Sequence, residues 1–315
     1  MSVGHRLNQI KYYLTRYGFW ATVKKCVKRA LGIKDAPLYT DNEVYEKWIE
    51  NNEPDVKTLR EMADKKFAFQ PLISVVVPMY NTDEKYFSEL VDCMQKQIYT
   101  NWELCLADGS EKKNQNLEDM IEFDNRIFYK YLGENKGISG NSNEALKLTN
   151  GEYIALLDHD DLLPENALYE FVKAINEENM PDFLYSDEDK ITDEGKRYNP
   201  YFKPDFSPET LSVHNYITHL IMFKKVLLDE VGMFNEEFNG AQDYDLVLRL
   251  TEKAKNIVHI SKVLYHWRAG AGSTAEVADN KPYAFEAGRR AVEAHLKRLG
   301  LAGVAKDGND IPRRI

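Results

Sequence analysis

Cysteine is scarce: Cys26, Cys93 and Cys105 are the only three in 315 residues, and none has the spacing of a metal-binding CxxC. An odd, sparse set points to reduced thiols in the cytosol rather than a disulfide framework. No apolar run approaches the roughly 20 residues that span a bilayer, and the N-terminal residues lack the uninterrupted apolar core of a secretory signal. Glycine-rich phosphate loops are also missing. Neither Gly-x-Gly-x-x-Gly nor a Walker Gly-Lys-Ser/Thr follows the first apolar stretch, which sets aside the usual dinucleotide and P-loop sites. Without a Gly-x-Ser-x-Gly elbow, an α/β-hydrolase is disfavoured. There is no internal repeat and no low-complexity tract.

Acidic residues are absent from positions 1–34, which carry eight Lys/Arg, whereas the remainder holds 33 basic against 51 acidic side chains. An acidic body argues against a nucleic-acid partner, because phosphate backbones require basic surface. In the basic head, Tyr12, Tyr13, Tyr17, Trp20 and Val27 interleave with lysines and arginines near helical spacing. Such a segment either lies on an anionic inner leaflet or packs as a helical arm on the body or on a second copy in a homodimer. With 43% apolar and 29% charged residues, the chain has the composition of an ordinary globular protein.

Residues 1–70 read as a basic, helical N-terminal extension, broken near Pro37 and Pro54. From Pro71 onward, short apolar runs alternate with amphipathic segments, the pattern of a mainly parallel sheet flanked by helices. Strands are expected at 72–77, 103–107, 127–132 and 152–156, with helices at 84–97 and 139–149. Polar turns follow each strand: Tyr80-Asn81, Asp108-Gly109-Ser110, Asn135-Lys136-Gly137 and Asp158-His159-Asp160-Asp161. In a doubly wound sheet, ligands bind outside the carboxyl ends of the strands. Four successive polar ends on one edge therefore describe a pocket.

Three carboxylates at one strand tip repel one another and resist ionising together. The arrangement makes sense around a hard divalent ion, Mn2+ or Mg2+, that in turn holds a phosphate-bearing substrate; the alternative is a solvated acidic turn before the helix near Pro164.

The ordered series Ser74-Val75-Val76-Val77-Pro78-Met79-Tyr80-Asn81, Asp108-Gly109-Ser110, Asn135-Lys136-Gly137-Ile138-Ser139 and Gly151 to Asp161 resembles the family 2 glycosyltransferases with a GT-A fold. The resemblance continues through Tyr185 to Lys190, Phe202-Lys203-Pro204-Asp205, Gly240 to Leu246 and Val263 to Arg268, and so covers roughly residues 70–300. Among that family it is similar to bacterial enzymes of O-antigen, rhamnan and other surface-polysaccharide assembly. It implies an α/β, Rossmann-like GT-A domain over 71–303, with 304–315 a tail or the start of a linker. The abrupt ending after the last helix raises the expectation of one module in a longer protein.

By this resemblance Pro78, Tyr80, Asp108, Lys136, Asp158 and Arg268 bind the donor nucleotide, with Tyr80 stacking on the base and Asp108 bonding the pyrimidine. Asp158 and Asp160 form the D-x-D motif and hold the metal, with His266 as a further ligand or else an ordinary packed histidine. Asp243 is the implied catalytic base, in a Gln242-Asp243 pair where the family carries Glu-Asp; the bland reading is a first-turn helix acid. Asp161, Asp187, Glu188 and Gln242 are candidates for sugar or acceptor contacts, although Asp187 to Asp189 also read as a solvated turn. Ser142 stands where many relatives carry Arg, which removes a phosphate partner. Arg268 begins a Gly-rich stretch through Ser273 with the character of a lid.

The implied activity is inverting, metal-dependent transfer from a UDP- or dTDP-linked sugar to a glycan hydroxyl on a lipid or protein carrier. Its setting is the cytoplasm or the inner face of the membrane. Two competitors are a catalytically silent GT-A-like binding module and a sugar nucleotidyltransferase. The latter needs a basic, Gly-rich loop where this chain has Pro78-Met79-Tyr80-Asn81. Donor sugar, acceptor and linkage depend on pocket shape and are not legible in the sequence.

Overall fold

The computed structural model describes residues 42–268 and 282–306. The basic segment 1–34, with its membrane or dimer role, lies outside the described residues, as do the Gly-rich stretch after Arg268 and most of the C-terminal tail. Contacts divide the chain into two units, Met1–Trp48 and Ile49–Ile315. Tyr45 and Trp48 of the first unit stack at 5.7 Å. No helix among the described residues is long and apolar enough to cross a membrane.

Two short helices, α1 (Asn42–Asn52) and α2 (Val56–Asp64), precede the sheet. Asp55 starts α2 by accepting the Thr58 amide. Met62, Phe67 and Phe69 pack on the core, so part of the stretch expected to be peripheral belongs with the body.

The first half alternates strands and helices: β1 (Ile73–Met79), α3 (Glu84–Gln95), β2 (Trp102–Asp108), α4 (Gln115–Ile121), β3 (Ile127–Tyr131), α5 (Gly137–Leu146) and β4 (Tyr153–Leu156). β1 is central and nearly all buried, which its run of Val and Ile suits. Asp83 caps α3 through the Lys85 amide, and Phe87, Leu90, Val91 and Met94 fall on one face at helical spacing. The sequence spacing foretold these elements to within a few residues, apart from α4, which it did not assign.

The second half comprises α6 (Ala167–Glu177), β5 (Phe183–Ile191), β6 (Arg197–Tyr201), α7 (Pro208–Leu211), β7 (Ile221–Lys224), α8 (Leu227–Val231), α9 (Gln242–Lys253), β8 (Ile257–Arg268) and α10 (Pro282–Arg298). The sheet order is β3-β2-β1-β4-β7-β5-β6, with β8 also pairing β5. β1 to β4 are mutually parallel; β7 is antiparallel to both β4 and β5, and β8 runs parallel to β5. This is the mixed, mainly parallel α/β sheet expected. The C-terminal ends of β1 to β4 therefore share one edge with the start of β7.

One face of the sheet is covered by a cluster containing Phe87, Met94, Phe171 and Ile175, the other by one containing Leu146, Leu248, Ala287 and Ala291. Each fully buried Leu or Phe contributes about 1.5–3 kcal/mol. At the opposite rim from the polar turns, the Glu103 carboxylate collects β1, β2 and the entry to β4. It accepts from Ser74 Oγ at 2.6 Å, Gly151 N at 3.3 Å and Asn150 Nδ2 at 3.1 Å, and also from the Asn150 amide. Gly151 is obligatory here, since a Cβ would stand 2.4 Å from the Leu72 carbonyl oxygen.

Candidate active site

β4 ends at Leu156, and the chain emerges at the C-terminal edge as Leu157 to Asp161. Leu157 still bonds β1 through the Val76 carbonyl. Asp158 and Asp160 are partly exposed, whereas Asp161 is buried. Asp161 is turned away from the open edge and into β8. It accepts the hydroxyl of Tyr265 and the amide of Arg268, the latter at 2.6 Å. Burial raises the pKa of Asp161 well above the ordinary carboxylate range, and the charges of Asp158 and Asp160 add to the effect. Its work in this arrangement is to fasten the acidic turn to β8.

Asp158 also has a raised pKa. Loss of surrounding water is the main cause, with repulsion from Asp160 and Asp243 adding to it and His219 and His159 opposing. Asp243, 85 residues further along the chain, is the smallest of these influences. Asp243 lies in the first turn of α9, where Asn215 donates its amide to Oδ2 at 3.4 Å. Gln242 turns back on its own loop and accepts the Gly240 amide at 2.8 Å.

Tyr80 is 39% exposed at the end of β1, open to a flat ligand. Pro78 sits one register position from the Met79–Asp108 pair of β1 and β2. Asp108 is fully buried. Its Oδ1 accepts the Ser110 amide at 2.9 Å and the Ser110 hydroxyl, and its Oδ2 accepts Tyr129 Oη at 2.7 Å. These bonds tie β2 to β3 and to the following turn.

Four of the expected residues have partners within the chain. Lys136 Nζ pairs with Glu144 at 3.2 Å and Glu134 at 3.8 Å, because α5 brings Glu144 up beneath it. Arg268 is 3% exposed and packs over the Tyr86 ring at 4.6 Å. It donates Nε to the Asp160 carbonyl at 2.6 Å and Nη2 to Glu89. It therefore braces the acidic turn. His266 Nδ1 lies 2.6 Å from Asp189, which in turn holds Arg197. Asp187 is buried and accepts from the Lys203 amide and His259 Nε2, each at 2.8 Å, so it is not a solvated turn residue. Ser142, in the place of the expected arginine, bonds back to the Ile138 carbonyl at 2.7 Å.

Glu188 leads to a residue that sequence reasoning missed. Its Oε2 accepts Lys203 Nζ at 3.2 Å, Thr218 Oγ1 at 2.7 Å and the His219 amide at 3.0 Å. The His219 ring stacks on Tyr265 at 4.6 Å, and its Nε2 stands 3.9 Å from Asp158 Oδ2. Burial alone lowers a histidine pKa, but Glu188, Asp158 and Asp161 outweigh it and raise this one to about 9. The same donors hold the Glu188 carboxyl below the usual carboxylate range, overcoming its burial. No local signal marked His219, since the partners that define it come from β4, β5 and β8. Tyr265 was within reach, being the strand neighbour of the histidine the motif emphasised.

The fit to a divalent ion rests on the donor set. Asp158 and Asp160 offer only oxygens, crowd one another and keep a solvent side. Among the described residues no group of three or more His, Cys, Asp or Glu forms a metal cage. Two carboxylates with open positions suit Mg2+ or Mn2+, which complete their shells with water and phosphate oxygens.

Residues 74–232 match the profile of Glycosyl transferase family 2. The chain belongs to that family. This family 2 chain is 32% identical to the O-antigen biosynthesis protein RfbC of Myxococcus xanthus over 90% of its own length and 23% of RfbC. It is 46% identical to protein y4gI of Sinorhizobium fredii over 72% of itself and 26% of that protein. It thus spans about a quarter of these relatives. Among solved structures it is similar to S. aureus TarS 1–349 in complex with UDP-GlcNAc. The TM-score is 0.58 at 23% identity, covering 71% of this chain and 66% of that one. That likeness shows the GT-A fold.

Proposed function

We propose that this domain transfers a sugar, with inversion, from a nucleotide-diphospho-sugar to a hydroxyl of a glycan acceptor in surface-polysaccharide or glycoconjugate synthesis. Membership of family 2 supports the reaction class, and the printed role of RfbC in O-antigen biosynthesis supports the setting. UDP-GlcNAc binding by TarS favours a UDP-linked donor. The observation that carries the reading is the partly exposed carboxylate pair Asp158 and Asp160 at the tip of β4, in a chain that belongs to family 2.

In this scheme Tyr80 stacks on the base and Asp158 with Asp160 hold the metal–diphosphate end. Bound Mn2+ or Mg2+ supplies charge neutralisation for the departing diphosphate. Asp243, held by Asn215, takes the proton from the acceptor hydroxyl as that oxygen attacks the anomeric carbon from the face opposite the leaving group. Asp161, Tyr265 and Arg268 keep the acidic turn at its height above the sheet. The acceptor carrier and the place of the protein at a membrane are open to the same assay, run with lipid-linked glycans.

The test is donor turnover with UDP- and dTDP-sugars, with and without Mn2+, in the wild type and in Asp243→Asn. Removing a general base lowers the rate about 10²–10⁴-fold, with UDP binding retained. An unchanged rate removes Asp243 from the role. Absence of turnover with every donor favours the silent binding module.

A further inference from the structure

The His219 side chain is one-quarter exposed and held on every other side. Tyr265 lies parallel to it within 14°, and Trp267 approaches at 5.9 Å. Glu188, itself fixed by Lys203 and Thr218, stands 3.3 Å from Nδ1, and Asp158 stands 3.9 Å from Nε2. Neither contact is a completed hydrogen bond: Nδ1 is buried without a bonded partner, and Asp158 is beyond hydrogen-bond length. Nδ1 faces Glu188, and Nε2 is the ring atom left to bond a ligand at the strand tip.

The surrounding charges say what it faces. Asp158, Asp160 and Asp243 are all carboxyl groups, and a diphosphate entering near them requires a donor of hydrogen bonds. Lys136 and Arg268 are committed to Glu144 and Glu89. Among the described residues, His219 is the basic side chain within ion-pair distance of Asp158.

Resting on the nucleotide-sugar reading above, we propose that His219 is a further donor-site residue, whose ring grips the diphosphate of the nucleotide sugar opposite Asp158. The grip acts on the phosphates and not on the nucleoside. It provides part of the diphosphate affinity without metal.

Titration calorimetry in EDTA with UDP and with uridine tests this on the wild type, His219→Gln and His219→Asn. The expected result is UDP binding weakened about tenfold in the variants, the scale of one charge-assisted hydrogen bond, with uridine binding unchanged. Equal UDP affinity in the variants, or the same loss for uridine, overturns the proposal. A wild type that binds neither ligand in EDTA but binds UDP with Mn2+ overturns the metal-free grip; one that binds UDP under neither condition removes the nucleotide-sugar reading and this inference with it. Should both variants fail to fold, the ring resonances of His219 in the wild type decide. They shift on addition of UDP and not uridine; indifference to UDP overturns the assignment.

Discussion

The two halves of the sheet use polar residues differently. In the β1–β4 half, apart from the Glu103 knot and the Tyr129–Asp108 bond, polar groups at the strand ends bond close neighbours: Ser110 to Asp108, and Gly137 to Asn135. In the β5–β8 half, the carboxylates of β5 pair with side chains from other elements. Lys203 meets Glu188, His266 meets Asp189, and Arg197 joins Asp189 to Glu53. The first half presents polar turns along one edge of the sheet. The second holds its elements together with buried charge pairs.

The largest expected effect lies in the second half. Lys203 is fully buried and bonds Glu188 and the carbonyls of Ile217 and His219. Lys203→Ala takes from buried Glu188 its lysine partner and from the Ile217 and His219 carbonyls their donor, and is expected to destabilise by about 3–5 kcal/mol in urea unfolding. A loss below about 1 kcal/mol would mean that these charge pairs do not hold the second half together. Next comes Gly151→Ala, at the foot of the first half. The added methyl meets backbone, which cannot yield cheaply, so a loss of about 1–3 kcal/mol is expected. Donor turnover should fall with it.

The smallest effect concerns Glu144. Hydrogen bonds from Lys130 and then Lys147 lower its pKa to about 2 from 4.5. A depressed carboxylate pKa gives stability that is present above pH 4.5 and lost as pH falls toward 2. The lysines are half exposed, so solvent screens the pairs and the contribution stays below about 1 kcal/mol. Thermal melts across pH 2–6 should show a slightly steeper acid loss in the wild type than in Glu144→Gln. Identical profiles would make the cluster energetically silent.

The same contrast explains what the sequence disclosed. Alternating apolar runs and turn residues are local signals, so β1 to β4, their polar ends and the Asp158–Asp160 turn were readable in advance. Asp243 was located through the ordered motifs of the family rather than through any local pattern. The ion pairs of Lys136 and Arg268 were not legible, because Glu144 and Glu89 arrive from helices packed alongside. His219 went unnoticed for the same reason: nothing in Tyr216-Ile217-Thr218-His219 announces that Glu188 and Tyr265 will enclose it.

The Glu103 knot has a further bearing on how this domain tolerates change. β4 spans only four residues, about 13 Å at 3.3 Å per residue, so its foot dictates the altitude of Asp158. A slip of one position would move that carboxylate by roughly 3.3 Å and flip it through the sheet. Substitutions at Glu103, Asn150 or Gly151, remote from every reacting atom, will therefore surface in activity screens as apparent donor-handling defects.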